Sequence, residues 1–572
     1  MKTINNKIFK TTLFGTSLAL AAQFAQADVI LHAFNWSYDE VASKAQEIAD
    51  IGYKKVLVAP AVKSNKHNTA WWGRYQPQDF RVIEHNLGNK ESFQNMINAL
   101  NAVGVATYAD VVINQMANER GNSTYFPGDY AVGDYANYRD YWERQKLFGN
   151  LDYGLFGPGD FHDGFCISDW TNWGQSMTGR ICGEAPDPGM PDLKPNDHVK
   201  GSQRAYLQAL KNMGVKGFRV DAAKHMTYDH INAVFTSDII SGMHVFGEII
   251  TGGGSGNADY DTFLEPYLRN TAHSAYDFPL LKTMRDAFSS SGSLNALANP
   301  KSWGGAIDGP RAVTVTVTHD IPLNGGFRYQ IMSETNEHLA YAYIMGRQDG
   351  VPMVFSDKTG TDNGRWYDDY KQSNLKSMVK FHNAVKGEGE EILHSDNCTI
   401  VYRRGKEGLV GINKCNSEKW IGIPTSSKFY WSKDYVDVFT GARFNIDEST
   451  HWISIPGRTA RMWLPEGGSV GNNDNVNVNF TCNNGYTNWG DSVYVVGNIG
   501  ELGNWNTSNA TKLDPTNYPT WKKTLSLPAN ANVEWKCIIR DEQNGNDVTK
   551  WEPGANNKVN TGSGGASTTG SF

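Results

Sequence analysis

The segment MINALNAVGVATYADVV, Met96 to Val112, decides the fold class because it joins an amphipathic helix to a short apolar strand through one glycine. Gly104 can take the left-handed conformation that ends a helix, and the small and β-branched residues after it are typical of a strand buried on both faces. The same pattern recurs in three further stretches, AQEIADIGYKKVLVAP, LQALKNMGVKGFRVD and AYIMGRQDGVPMVFSD. Helices that alternate with strands predict a parallel sheet.

Four other runs are typical of buried strands, DVILHAFN, MHVFGEI, HSAYDF and AVTVTVTHD, which brings the number of strands to eight. Eight helix and strand units over residues 28–387 favour an α/β fold of the (β/α)8 TIM barrel type over the alternative, a doubly wound open sheet. The stretch after the third strand, about 116–196, is too long for a barrel loop. We expect it to be an inserted domain on the rim where barrel active sites lie.

The C-terminal part of the chain carries short alternating strands without helix signals. We predict an antiparallel β domain, itself a β-sandwich, over 388–465, a Gly/Asn linker over 466–475, and a further β-sandwich over 476–572. The Gly/Ser/Thr tail after Asn560 is expected to be disordered.

Composition and the N-terminus indicate the compartment. Charged residues make up 20% of 572 and the formal net charge is -7, which gives no reason to expect a nucleic-acid partner. Residues 1–27 combine lysines, a short apolar run and AQA before Asp28, which predicts a cleaved secretory signal rather than a membrane helix. We therefore expect a secreted protein without membrane contact, and a monomer. Its six cysteines suggest three local disulfides, Cys166–Cys182, Cys398–Cys415 and Cys482–Cys537.

Three predicted barrel strands end in acids, Asp221, Glu248 and Asp320. One acid at such a place is commonly a helix cap or half of an ion pair, but three at the face where barrel chemistry takes place indicate catalysis. Arg219 shares a strand face with Asp221 and is expected to hold it ionised at neutral pH. Retaining glycoside hydrolysis needs an ionised carboxylate and a protonated acid, and Glu248, after an apolar run, suits the raised pKa.

Four stretches in chain order, DVVINQ, GFRVDAAKH, FGEI and VTVTHD, resemble the signature regions of the α-amylases of glycoside hydrolase family 13. MPDL, from Met190, and GVPMVFSD resemble two further motifs of that family, and the resemblance runs from about Asp28 to Pro465. It implies that Asp221 is the nucleophile, Glu248 the general acid and then base, and Asp320 the acid that distorts the sugar. Implied substrate contacts are Tyr75, Gln115, Arg219, Lys224, His225 and His319. For Tyr75, a core role is the alternative.

The same resemblance implies a structural calcium ion between barrel and inserted domain. Asn114 and Asp192 match its side-chain ligands, His225 a backbone carbonyl ligand, and Arg180, two residues before Cys182, a further one. Oxygen ligands suit this hard cation. One residue departs from the family pattern: Gln115 stands where the family usually has histidine, and glutamine cannot carry its positive charge.

The last domain resembles the starch-binding domains of carbohydrate-binding family 20, through VGNIGELGNW, EWKCIIRD and WEPGANN. Trp505, Lys536 and Trp551 match one glucan site, to which Asn556 contributes, while Tyr494 and Tyr518 suit a second. Exposed aromatic planes can stack on the apolar faces of glucose. Trp521 and Trp535 are expected in the core.

These expectations describe a secreted, calcium-binding, retaining endo-hydrolase of α-1,4-glucans such as starch. The alternatives are a maltooligosaccharide-forming exo-amylase, a transglycosylase with the same acids, and a catalytically impaired glucan-binding protein. The altered first motif alone favours the last of these, and the three intact acids oppose it.

Overall fold

The structure, a computed structural model, describes residues 28–119, 123–447, 449–466, 475–528, 531–561 and 565–572. Its largest part is a closed barrel of eight parallel strands. In chain order these are β1 (Ile30–Phe34), β2 (Lys55–Val58), β3 (Ala106–Val111), β4 (Gly217–Val220), β5 (His244–Gly247), β6 (Ser274–Tyr276), β7 (Ala312–Thr314) and β8 (Val351–Asp357). Strand β1 pairs with both β2 and β8, so the predicted TIM barrel is confirmed and the open sheet is excluded.

The helices reach the strands through glycines with positive φ. Gly52 (φ 110°) and Gly214 (φ 112°) end their helices in the left-handed conformation, and Gly104 (φ 73°) precedes β3. The helix before β3 buries its apolar stripe, Phe93, Met96, Ile97 and Leu100, against the barrel. The helices with regular backbone are Tyr38–Ser43, Ala45–Ile51, Lys90–Ala102, Asp129–Asn137, Arg139–Gln145, Trp173–Thr178, Asp197–Met213, Tyr228–Val234, Ser237–Ile240, Glu265–Asn270, Phe278–Phe288, Asp320–Leu323, Glu334–Gly346 and Ser373–Ala384.

The long connection after β3 packs beside the barrel rim. It contains the helices Asp129–Asn137 and Arg139–Gln145, whose aromatic residues form a small core with Val82. The short strands Glu84–His85 and Gly88–Asn89 form a hairpin just before the helix that precedes β3. The disulfide Cys166–Cys182 closes the later part of the connection. An antiparallel bridge between Gln115 and Asp192 brings its two ends together, directly above β3.

After the barrel, the chain forms antiparallel sheets. A six-stranded sheet and a two-stranded ribbon enclose a separate apolar core, and the disulfide Cys398–Cys415 joins the turns at one end. The strands are Glu390–Ser395, Thr399–Arg404, Gly408–Asn413, Lys419–Pro424, Asp434–Asp437, Arg443–Asn445, Thr450–Ile455 and Thr459–Pro465. The ribbon consists of Lys419–Pro424 and Thr450–Ile455.

The last region has two sheets of four and five strands around the buried Trp521 and Trp535, both expected in the core. The disulfide Cys482–Cys537 links the sheets, so all three suggested pairs are present. The strands are Asn475–Asn483, Asp491–Gly497, Thr511–Lys512, Asp514–Asn517, Thr520–Pro528, Asn532–Asp541, Val548–Trp551, Asn557–Asn560 and Ala566–Ser571. The expectation of a disordered tail is wrong for its end. Ala566–Ser571 pairs in parallel with Asn475–Asn483, so tertiary pairing overrides a composition that has little strand propensity.

Two sequence predictions lie outside the described residues: the signal peptide over 1–27, and most of the linker, of which 467–474 are not described. None of the helices in the described part of the chain is long and apolar enough to cross a membrane.

Candidate active site

The three predicted catalytic acids meet at the carboxyl end of the barrel. Asp221 directly follows β4 and Glu248 directly follows β5, and both are buried. Asp320 lies differently from the expectation. Strand β7 ends at Thr314, six residues before Asp320. Asp320 is instead the first residue of a short helix. Its side chain keeps 17% of its surface exposed, the most open of the three acids.

Arg219 is the centre of the site. Its Nη1 donates to both carboxylate oxygens of Asp110 and to Oδ1 of Asp221, each at 2.8 Å, and its Nη2 lies 2.5 Å from Oε1 of Glu248. The parallel register of β3 and β4 places Asp110 directly beside Arg219. The guanidinium is fully buried. One cation therefore holds three carboxyl groups together, including two of the candidate catalytic acids.

The ionisation of Asp221 differs from the expectation. Burial raises the pKa of Asp221 to about 8, and although Arg219 lowers that pKa, Glu248 and Asp110 raise it further. Several buried carboxyl groups share the charge of Arg219, so the pKa of Asp221 stays above its usual value despite that contact. Burial also raises the pKa of Glu248, as expected, and Asp320 adds to that shift.

Of Asp221 and Glu248, the contacts of Arg219 favour Asp221 as the ionised carboxyl group. Its Nη1 makes a hydrogen bond to Asp221, whereas the close contact of its Nη2 with Glu248 lacks hydrogen-bond geometry. When Glu248 carries the proton, its repulsion of Asp221 also disappears.

The residue after Asp221, Ala222, has a φ of 48°, an unfavourable conformation for a non-glycine residue, and its N–H donates to Oε2 of Glu248.

Aromatic rings form one wall of the site. The ring of Tyr75 stacks on the imidazole of His319, with centroids 5.2 Å apart and planes 9° apart, and its hydroxyl donates to Asp110. Phe34 stacks on the other side of the same imidazole. Burial lowers the pKa of His319 to about 3, so its imidazole is neutral at neutral pH. Tyr75 is 8% exposed, and its contact with sugar stays a prediction.

Gln115 lies against the candidate nucleophile. Its Nε2 is 3.3 Å from Oδ2 of Asp221 and 3.3 Å from the carbonyl oxygen of Tyr75. Its Oε1 is buried, and no hydrogen-bond partner for it is found in the described part of the chain. The hydrogen bonds of Nε2 therefore orient the Gln115 side chain, and its Oε1 is free to accept a hydrogen bond from a ligand.

The two other predicted substrate contacts lie just beyond Asp221, in a 3-10 turn. Lys224 pairs with Asp259 at 2.7 Å and lies over the ring of Phe263. Sequence reasoning did not predict Asp259, which comes from a Gly-rich loop without a motif. The imidazole of His225 faces the inserted segment, where its Nδ1 lies 3.1 Å from the carbonyl oxygen of Ser176.

The predicted calcium ligands come from the barrel and the inserted segment. Asn114, Arg180, Asp192 and His225 are all buried. Oδ2 of Asp192 lies 2.6 Å from His162, but its Oδ1 is buried and has no hydrogen-bond partner among the described residues. Within those residues no cluster of three His, Cys, Asp or Glu side chains could hold a metal. A donor set of one carboxylate, one amide and backbone carbonyls does not need such a cluster and suits a hard cation.

The predicted glucan contacts of the last region differ in exposure. Trp551 is 44% exposed, and Trp505 is half-buried with a φ of 62°. Nζ of Lys536 donates to the carbonyl oxygens of Glu552, Gly554 and Ala555, so it braces the loop after Trp551. The side chain of Asn556 donates to Glu534.

Tyr494 requires a correction. It is 4% exposed, packs among Val496, Ala510 and Ile538, and the guanidinium of Arg540 covers its ring at 3.8 Å. It has no open face for a sugar, because Arg540 and these neighbours cover its ring, although it shares a sheet face with Trp551. Tyr518, its predicted companion, is 52% exposed.

The structure instead places Tyr486 beside Tyr518, with ring centroids 6.1 Å apart, and leaves Trp489 fully exposed. Sequence reasoning missed both residues. Their signal was an aromatic pair inside the polar stretch NNGYTNWGD between two strands, where a core role is not expected.

Comparisons with known proteins match these features. The model for the catalytic domain of alpha amylases matches residues 37–251, and that for the starch-binding domain matches residues 475–571. An alpha-amylase of Aeromonas hydrophila is 50% identical over 446 residues, which cover 77% of this chain and 96% of that protein. The chain belongs to the α-amylase family.

This α-amylase is also similar over nearly its whole length to an alpha-amylase of Streptomyces violaceus, 28% identical over 574 residues, 95% of this chain and 93% of that one. Among solved structures, alpha-amylase I of Eisenia fetida has a TM-score of 0.58 at 21% identity and covers 78% of this chain and 97% of its own. That likeness concerns the fold. The family makes the chain a glycoside hydrolase that acts on starch, with a domain that binds starch.

Proposed function

We propose that this α-amylase cleaves internal α-1,4-glucosidic bonds of starch with retention of configuration, through a glycosyl-enzyme intermediate. The observation that carries the proposal is the contact of one guanidinium, Arg219, with both Asp221 and Glu248. Carboxyl groups held on one cation are close together. Retaining enzymes need a separation of about 5–5.5 Å, whereas inverting enzymes need room for a water between them.

In the first step, Glu248 donates its proton to the glycosidic oxygen while Oδ2 or Oδ1 of Asp221 attacks the anomeric carbon. The carbon–oxygen bond to the leaving sugar breaks as the ester bond to Asp221 forms. In the second step, Glu248 removes a proton from water, which attacks the same carbon and releases Asp221 as carboxylate. The raised pKa of Glu248 suits its role as the acid.

The remaining residues have positioning roles in this proposal. Asp320, the most exposed acid, binds sugar hydroxyls and favours the distorted ring of the transition state. Neutral His319 and the acceptor oxygen of Gln115 hydrogen-bond to the same sugar, and Tyr75 packs against it. Lys224 and His225 contact the substrate beside the acids, as the family resemblance implies. Arg219 fixes the two reacting acids.

The experiment is a time course of products from soluble starch, with an Asp221→Asn variant as control. Random oligomers at early times support endo action, while one dominant short product indicates the exo-amylase. Release by the Asp221→Asn variant at more than about a thousandth of the native rate would exclude Asp221 as nucleophile. The anomeric form of the first product, measured by NMR, tests retention.

Calcium is part of the proposal as a structural ion. The side chains of Asn114 and Asp192 and the carbonyl oxygens of Arg180 and His225 would hold it. When bound, it would tie the inserted segment to the end of β3, next to Gln115. The buried, unpartnered Oδ1 of Asp192 supports this assignment.

The starch-binding region completes the proposal. We assign granule binding to Trp505 and Trp551, with Lys536 and Asn556 supporting the loop beside them, and to Tyr518 with Tyr486 and Trp489 as a second surface. Secretion after removal of 1–27, action as a monomer, and the domain boundaries given by the sequence are parts of the same proposal. Three disulfides are consistent with export.

A further inference from the structure

The two-stranded ribbon formed by Lys419–Pro424 and Thr450–Ile455 has an unusual outer face. Its inner face carries Ile421, Ile423, Ile453 and Ile455, which fill the core of this region. Because side chains alternate along a strand, Trp420 and Trp452 point outward, and they are 60% and 61% exposed. Two large indoles on one open sheet face are not required by the fold.

The register brings the two indoles together. Trp452 lies opposite Gly422, and Trp420 lies opposite Ser454, so the two tryptophans are diagonal neighbours on the same face. Such neighbours are roughly 7–8 Å apart, within reach of each other's side chains. A Cβ at Gly422 would lie 3.3 Å from the six-membered ring of Trp452, so the indole lies across the glycine.

Hydrogen-bonding groups surround the indoles. Thr450 and Ser454 lie on the same outer face, and the Ser454 hydroxyl donates to the exposed carboxylate of Glu418. Rigid aromatic planes bordered by hydroxyl and carboxylate groups match the alternating apolar faces and hydroxyl edges of a sugar chain.

The size of the patch argues against a protein partner. Two indoles at this exposure offer on the order of 300 Å² of surface. A stable protein pair buries about 800 Å² on each side. A polysaccharide chain makes small repeated contacts, and the same protein carries exposed Trp489 and Trp551 in its starch-binding region.

We propose that Trp420 and Trp452 form a surface site for an α-glucan chain, separate from both the active site and the starch-binding domain. The inference rests on the starch-degrading function of the family but not on the roles of the three acids. Its occupant is the polymeric substrate itself, which the site would hold beside the barrel while other parts of the chain are cleaved.

The test measures mobility in native gels that contain soluble starch, with the full-length protein. Trp420→Ala/Trp452→Ala is compared with native protein and with Trp431→Ala, a matched change of another exposed tryptophan of this region that lies outside the ribbon. Each change is also made in a Trp489→Ala/Trp551→Ala chain, where binding by the starch-binding domain is reduced. In the Trp489→Ala/Trp551→Ala protein, we expect Trp420→Ala/Trp452→Ala to weaken starch binding at least five-fold. In the same protein, Trp431→Ala should leave starch binding unchanged.

Two further variants separate binding from folding. Trp452→Phe keeps an aromatic plane and should restore most of the binding, while Gly422→Val should displace the indole and weaken it without removing a tryptophan. Hydrolysis of maltopentaose, which is short enough to occupy the active site alone, should stay native in all of them. A loss of that hydrolysis in Asp221→Asn alone concerns the proposed function, not this site.

Unchanged starch mobility of the double ribbon variant in both chains would overturn the proposal. A second result would also overturn it: the native protein sediments as a dimer, and the ribbon variant sediments as a monomer that still binds starch. The indoles would then serve to contact a second copy of the chain.

Discussion

At the scale of single residues, Gln115 is the most informative position. It lies 3.3 Å from the candidate nucleophile Asp221, in a stretch where the family usually has histidine. Glutamine provides the hydrogen bond but no positive charge. Because burial already raises the pKa of Asp221 to about 8, the lack of a second cation near it has a chemical consequence. More of the enzyme holds Asp221 protonated, and therefore unreactive, as the pH falls.

We therefore predict that Gln115→His moves the acid limb of the kcat/KM profile to lower pH by about one unit and raises kcat/KM several-fold at neutral pH. An imidazolium beside Asp221 favours its charged form, so its pKa falls and the carboxylate persists further into acid. Gln115→Glu, which adds a negative charge, should shift the limb the other way. An unchanged kcat/KM and pH profile of Gln115→His would contradict this explanation.

Among the sheets of the starch-binding region, the side chains packed over a sheet face decide which of its aromatic residues can bind sugar. Tyr494 and Trp551 both lie opposite Ile538 and so share one face of the sheet, yet Tyr494 is buried under Arg540 while Trp551 is 44% exposed. Both are aromatic in an alternating pattern, so the motif alone did not separate them. Only the packing of other side chains over this face, such as Arg540 on Tyr494, decides which of the two rings stays open.

We predict that Trp505→Ala/Trp551→Ala loses most adsorption to starch granules, by about ten-fold or more, and hydrolyses soluble starch at the native rate. Aromatic planes that stack on sugar act in binding and lie far along the chain from the three acids. Tyr494→Phe is the matched control, because a buried ring without its hydroxyl should leave adsorption unchanged. If the double variant loses both adsorption and soluble hydrolysis, the two tryptophans serve the fold.

At the scale of the whole molecule, the barrel and the inserted segment meet at the end of β3. The bridge between Gln115 and Asp192, and the hydrogen bond from the N–H of Leu193 to the carbonyl oxygen of Asn114, join the two parts next to the active site. At this junction the buried Oδ1 of Asp192 has no hydrogen-bond partner among the described residues. A cation there would connect the stability of the junction to the position of Gln115.

We predict that a chelator lowers the melting temperature by several degrees and reduces activity, and that added calcium restores both. Any ion that binds only the folded state stabilises it by mass action. Asp192→Asn should show a lower melting temperature and a weaker response to calcium, whereas Asp169→Asn, an exposed acid of the same segment, should respond as the native chain does. Melting and activity that do not change with chelator would exclude the ion.

The barrel follows from the sequence alone, because the helix, glycine and strand pattern is local and its period sets the fold class. The sequence also placed Asp221 and Glu248, which follow their strands directly, and suggested the three disulfide pairs. The positions of the two acids were readable because each depends on neighbours within a few residues, whereas the cysteine partners lie 16, 17 and 55 residues apart and were suggested by their order along the chain.

The remaining features depend on residues that are distant in sequence, so they follow only from the folded chain. Burial and acids from other strands raise the pKa of Asp221. Asp320 lies at the start of a helix rather than at the end of a strand. The C-terminal segment pairs with a strand almost a hundred residues earlier in the chain. The outward indoles of Trp420 and Trp452 became neighbours only through the register of their ribbon.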